Sequence, residues 1–498
     1  MTRGIHDKLL VAALAILCLL QLLSPPVESA ETEPDPRPGL YHSVWPHGRS
    51  DAWRTGAARS AGLPGGVRSD SLATKSVELP TAPAWGAVYS DNAIFVLGGS
   101  PFLLEQFAYA TRGDAGKTLA EMTQLKLGSH AVENASVRPY LAKIDPKTMS
   151  VIDRVEFPRE TTPNYTSSLL IHKNGKIYTL ATSRLYEIDP VTMKVKSLAL
   201  PKDEKKAVGT IYNTLQVSPK TGDLIVKATN FLDQTLPSRL VSVDTSDLTV
   251  RFQSRFPIGA TRIALAVEAD KEYVYASNDR KTLRFVVGKT GFEADEAWSK
   301  VYRVPGDGTT PAVSMVYMGR GKKVVFPNNN TVIFGVTQPL RLFMQPTDST
   351  EAAVQSVKVN SASGPGGNFY SAAADPLNTM MVVENDQVNH IIAGWRLTAA
   401  GTLDKVWEVD AYKSTGGTAI GSDQKHFYLD DRRCDANGAN CELYLVVLDL
   451  MTGSKLVEAK VAGSRPTIGQ IFLSGGAVFL IATEPGANKG FVTKISAN

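Results

Sequence analysis

Short runs of alternating apolar and polar residues recur along the chain, each broken by a tight turn and then resumed. The clearest is LYEIDPVTMKV at residues 185–195. It reads as a strand, a turn and a second strand. An Asp closes the first strand, where its carboxylate can accept hydrogen bonds from the backbone two residues on; Pro presets φ, and Thr or Gly completes the turn. Period-two alternation is the pattern of half-buried strands, so Leu185 and Glu187 are expected on one face and Tyr186 and Ile188 on the other. Close copies stand at 141–151 (LAKIDPKTMSV), 240–250 (LVSVDTSDLTV) and 445–456 (LVVLDLMTGSKL).

Four degenerate copies extend the series. Aligned as one column, Asp145, Asp189, Asp244, Gly288, Gln345, Thr398, Asp449 and Ser496 lie 44 to 57 residues apart. A period near that length built from strands alone predicts an all-β fold, an eight-bladed β-propeller of four-stranded blades. Seven blades is the alternative, and a β-sandwich whose hairpins share turn residues is a more distant one. The ends of the chain support eight. Residues 72–79 (LATKSVEL) form a lone strand, and the last copy, near 490–496, has a third strand without a fourth. Pairing the two closes the ring and leaves no open sheet edge.

The second blade can be read strand by strand: 167–172, 176–182, 184–189 and 194–200, with Asn174-Gly175 as the first turn. Turns between first and second strands, and between third and fourth, share one face and are short. The opposite face carries the irregular connections: an insertion at 98–138 that could be a lid or an edge decoration, residues 231–238, a loop at 431–442 and a Gly-rich stretch at 361–369. Variation of this kind is where repeat folds carry function. Loops entering the inner strands converge on the axis. They bring Trp85, Asn164, Tyr165, Asn213, Arg262, Asn368, Tyr370, Lys413 and Arg465 there as candidate ligand-binding residues, a mixture of donors, aromatic faces and cations.

Ahead of the propeller, residues 1–30 have the form of an export signal: Arg3 and Lys8, an apolar core of about 15 residues, a Ser-Pro-Pro break and small residues before Glu31. The expected location is therefore secreted or periplasmic, with no membrane span after signal removal. Residues 31–71 read as an irregular arm lying on the folded body, anchored by Trp45 and Trp53 in WPHGRSDAWRTG. The propeller domain then covers 72–498. Outside the signal, the cysteines are Cys434 and Cys441, flanking an Asn-Gly turn; in an oxidising compartment they are expected to form a disulfide. A net charge of +4 over 498 residues gives no electrostatic reason to expect nucleic acid. A monomer is expected, whose partner is a small molecule, a glycan or a protein on the propeller face.

Catalytic signatures are missing: there is no Walker loop, G-x-S-x-G, H-E-x-x-H or haem-attachment motif. His172 and His426 read as structural. His47, close to Arg49 and Asp51, is the one histidine added to the candidate site. The stretch 445–460, with Leu448, Asp449, Thr452 and Gly453, resembles the L-D-x-x-T-G repeat of quinoprotein-like propellers, and the segment from Trp45 to Gly56 is similar to the lead-in of secreted members. The resemblance implies the propeller fold and raises pyrroloquinoline quinone with calcium as a cofactor. The departures count against that chemistry: Val457 and Ala459 stand where the repeat has its docking tryptophan, and no vicinal cysteine pair exists. No catalytic or metal-binding residue therefore carries over. The expectation is a non-catalytic exported binding propeller, with a propeller enzyme (a divergent quinoprotein-type dehydrogenase, or a lyase or hydrolase) as the alternative.

Overall fold

A computed structural model describes residues 37–80, 83–99, 138–158, 168–181, 183–202, 210–229, 237–259, 262–304, 314–328, 338–368, 371–414, 417–437, 440–484 and 489–498, the side chains of 211, 229 and 465–470 excepted. The expected export signal, nearly all of the 98–138 insertion and residues 231–236 lie outside the described residues. So do Asn164, Tyr165 and Tyr370.

Eight sheets follow one another along the chain, each with four strands of its own. The second is Leu169–Ile171, Ile177–Ala181, Arg184–Ile188 and Val195–Ala199, within a few residues of the expected bounds. The protein is an all-β, eight-bladed propeller. Its ring closes as the sequence predicts: Leu72–Leu79 runs antiparallel to Lys489–Ala497, from Leu72 opposite Ala497 to Leu79 opposite Gly490. The first described strand of the propeller thereby becomes the outer strand of the last blade.

Local chemistry explains where the third strands stop. Oδ1 of Asp145, Asp189 and Asp449 each accepts from the backbone N–H groups two and three residues on, as at Val191 (2.9 Å) and Thr192 (2.8 Å). The turn then passes through a left-handed residue, Met149, Met193 or Gly453. Burial departs from the half-buried reading. Leu185, Tyr186, Glu187 and Ile188 are all buried, because blades stack side by side and cover both faces of the middle strands. The outer strands alone are largely exposed, as in Ser150–Glu156. Close stacking also explains Gly86: a Cβ there would sit 2.2 Å from the ring of Phe472 in the neighbouring eighth blade.

Although the best copies lack a docking tryptophan, two other copies supply one. Trp407 Nε1 donates to Leu450 O (2.9 Å) across blades six and seven, and Trp298 Nε1 to Pro346 O (2.8 Å) across blades four and five. At the end of the hairpin His426–Cys434/Cys441–Asp449, on the irregular face, Cys434 and Cys441 are disulfide-bonded.

The arm does not rest on the outside of this ring. It runs inside, making one circuit of the central channel in blade order. Trp45 O accepts from Val88 N–H of blade one (2.8 Å) and Pro46 O from Ile171 of blade two (2.7 Å). His47 Nε2 reaches Leu215 O of blade three (3.1 Å). Ala52, Trp53, Thr55 and Gly56 then accept from Leu265, Tyr317, Ala374 and Ile420 of blades four to seven, at 2.8–3.1 Å. Gly62 N–H finally donates to Ser474 O of blade eight (2.8 Å). Inner strands are sheet edges, and the arm satisfies backbone groups that would otherwise face an open hole.

Candidate functional site

The arm's circuit requires sharp bends, and these decide where its side chains go. Ser50, Arg54, Gly56 and Ser60 all have left-handed φ. Residues 49–56 fold back on themselves, with Gly56 N–H donating to Arg49 O and Thr55 N–H and Oγ1 donating to the Asp51 carboxylate. Gly48 lies flat against the Trp85 ring, where a Cβ would approach Cε3 to 2.7 Å. The result is a floor across the channel with His47, Arg49, Asp51 and Arg54 all buried on it.

Inner strands start at the irregular face and end at the short turns. Asn213, Arg262 and Asn368 precede the residues whose backbones bond the arm in their own blades (Leu215, Leu265 and Ala374), and Trp85, against whose ring Gly48 packs, precedes Val88. They therefore lie on the irregular-face side of the floor, and all four are buried. The guanidinium of Arg262 stacks on Trp85, 4.5 Å from the ring centroid. Lys227 Nζ donates to Gly259 O (2.7 Å) and contacts Asn213 Oδ1 (3.5 Å). Asn368 Nδ2 donates to Glu384 Oε1. Lys413 has an exposed side chain, while its backbone N–H binds Asp431 Oδ1 (3.0 Å). Arg465 opens the inner strand of blade eight, its side chain outside the described set.

The electrostatics of the group are dominated by cations. Arg49 is tied by Nη1 to Thr418 O (3.1 Å) and by Nη2 to Ser371 O and Ala372 O (3.3 and 3.0 Å). Burial pushes Arg54 well below the usual arginine range, and repulsion by Arg262 and Arg49 adds to it. Burial, with Arg262 beside it, likewise lowers Lys227. Burial and Arg54 hold His47 down at about 3, so it is neutral. Its Nδ1 accepts from Arg49 N–H and its Nε2 therefore carries the proton donated to Leu215 O. Asp51 is pushed up to about 6 by burial against the pull of its Thr55 hydrogen bonds, and burial raises Glu384 well above the carboxylate range. Arg54, Lys227 and Glu384 are the residues that sequence reasoning passed over. The last two had a signal: Lys227 is a lone charge inside the buried second strand LIVKAT, and Glu384 is a charge inside the wholly buried MVVEND.

No family model matches this chain, and no curated protein sequence matches it. Solved structures do. A quinohemoprotein alcohol dehydrogenase of Comamonas testosteroni aligns over 91% of this chain and 80% of its own, with a TM-score of 0.58 and 12% identity. One from Pseudomonas putida HK5 aligns over 93% and 80%, with a TM-score of 0.56 and 12% identity. The chain shares their fold. At that identity the likeness reaches no further than the backbone. Calcium, one half of the cofactor pair raised by the sequence, does not fit the described axis: no group of three or more His, Cys, Asp or Glu is gathered among the described residues, and the ion would meet Arg49, Arg54 and Arg262 instead.

Proposed function

We propose that this chain is an exported propeller that binds a ligand through its irregular face and performs no chemistry on it. The observation that carries the reading is the buried polar group held on that side of the arm, with Arg262 laid on Trp85. A cation on an aromatic ring beside buried amides is recognition chemistry. Both ring nitrogens of His47 are committed to backbone partners, which leaves it no proton to exchange with a substrate. Export is supported by the signal-like residues 1–30 and by the disulfide, which persists in oxidising compartments. The enzyme alternative rests on Asp51 and Glu384, two buried carboxyls pushed upward.

A thermal-shift screen of small molecules, glycans and peptides against the wild type, Trp85→Ala and Arg262→Ala tests the proposal. The expected result is a saturable rise in melting temperature that both variants lose. Ligands that shift all three proteins equally would place the site elsewhere. Turnover of the bound ligand, or quinone-dependent dye reduction after reconstitution with quinone and calcium, would favour the enzyme.

A further inference from the structure

We infer that the ligand carries an anionic oxygen group, a carboxylate or a phosphate-type oxyanion, held at the axis by Arg54 and Arg262. The inference rests on the irregular face being a binding face and names what it binds. Four basic side chains (Arg49, Arg54, Lys227 and Arg262) are each 9% exposed or less, and three carboxyls, Asp51, Glu384 and the Asp386 that acts on it, are buried with them. The excess is therefore positive. All three carboxyls already have partners, Asp51 in Thr55, Glu384 in Asn368 and Asp386 in Asn360.

The basic groups differ in how they are used. Arg49 is solvated by three carbonyls and Lys227 by the Gly259 carbonyl. Arg54 is only 2% exposed, yet its Nε and Nη1 have no hydrogen-bond partner, and the same is true of Trp85 Nε1. A buried guanidinium with two bare N–H groups and two like charges nearby is a costly arrangement in the empty protein. An oxyanion removes it: adjacent guanidinium N–H groups match two oxygens of a carboxylate or phosphate, and the added charge neutralises the repulsion. A neutral sugar would satisfy the donors and leave the charge; a cation would worsen it.

The test uses the full chain with phosphate, sulfate, citrate and glucose as separate probes, at ionic strength fixed with sodium chloride. Melting temperature and tryptophan emission are followed through each titration. The inference expects a saturable response to at least one oxyanion; phosphate and sulfate against citrate separates inorganic from carboxylate sources. Arg54→Gln should weaken that binding at least tenfold, and without anion it should melt no lower than wild type, because it loses a buried charge with bare donors. Arg262→Gln supplies the same test should Arg54→Gln fail to fold. No response to any oxyanion overturns the inference, as does wild-type affinity in the variant tested. A lower melting point with unchanged anion binding overturns it too, by making Arg54 structural. Glucose, a glycan or a peptide binding where no oxyanion does would sink the anion and leave the binding face standing; silence from every probe would sink both.

Discussion

At the scale of the residue, the buried titratable groups make a pH dependence that can be signed. His47 is depressed from 6.5 to about 3. Its contribution to stability is full above pH 6.5, where both folded and unfolded forms are neutral. It is lost as pH falls toward 3, because the unfolded chain takes a proton that the folded one refuses. Asp51, raised from 3.8 to about 6, and Glu272, raised from 4.5 to about 7, run the other way: their contributions are full in acid and are lost as pH rises through those raised values. The opposing slopes mean that a melt of the wild type alone would be hard to interpret, so the comparison is with His47→Gln. The charged neighbours of His47 are cations (Arg54, Arg262 and Arg49), and each disfavours its protonation in the fold. Between pH 6.5 and 4.5 the wild type should lose about 2–3 kcal/mol relative to the variant, from two units at about 1.4 kcal/mol each. Urea melts at the two pH values check this, and a constant difference would show that His47 takes up its proton in the fold. The cluster itself was partly legible. His47 drew attention through its neighbours, and Trp85, Asn213, Arg262 and Asn368 through their place ahead of inner strands. Arg54 was not, because its importance comes from a backbone bend that no local pattern announces.

Elements were read best where their limits are set by nearby atoms. The ends of the third strands at Asp145, Asp244 and Asp449 coincide with the expected column, because each aspartate caps its own turn. Inner strands vary in length. Those of blades five and six are two residues long, Val316–Tyr317 and Ala373–Ala374, while that of blade four, which also pairs with the arm, has five. The closing strand was visible as a matched deficit at the two ends. Leu79 is its most deeply buried residue, at 1% exposure. Leu79→Asp places an unpaired charge between the first and last blades without shortening the connection, and should cost about 3 kcal/mol or more. Thermal melting checks this; an unchanged midpoint would mean that the closing strand contributes little to the ring. Leu72→Asp, at the partly exposed far end of the same strand, is the milder control.

At the scale of the molecule, what escaped the sequence was the course of the arm. Burial of Trp45 and Trp53 could be expected from their size, but the circuit is made through backbone carbonyls, which every residue has and none advertises. That course carries a kinetic consequence. The arm precedes all eight blades in the chain, yet its partners extend to Ser474, and Arg49 reaches a carbonyl 369 residues away. Contacts so distant in sequence close slowly, since the entropy of ordering the intervening chain is lost before they form. The arm cannot complete its circuit until the eighth blade exists, so on refolding the sheets should appear first and the tryptophans of the arm should become buried last. Stopped-flow circular dichroism should then run ahead of tryptophan fluorescence, and Trp45→Phe with Trp53→Phe should remove most of the slow fluorescence phase. Coincident traces from the two probes would mean that ring and arm form in one step. If they separate, every newly made copy passes through a stage in which the ring stands around an open bore, and the last event of folding is the threading of its own beginning.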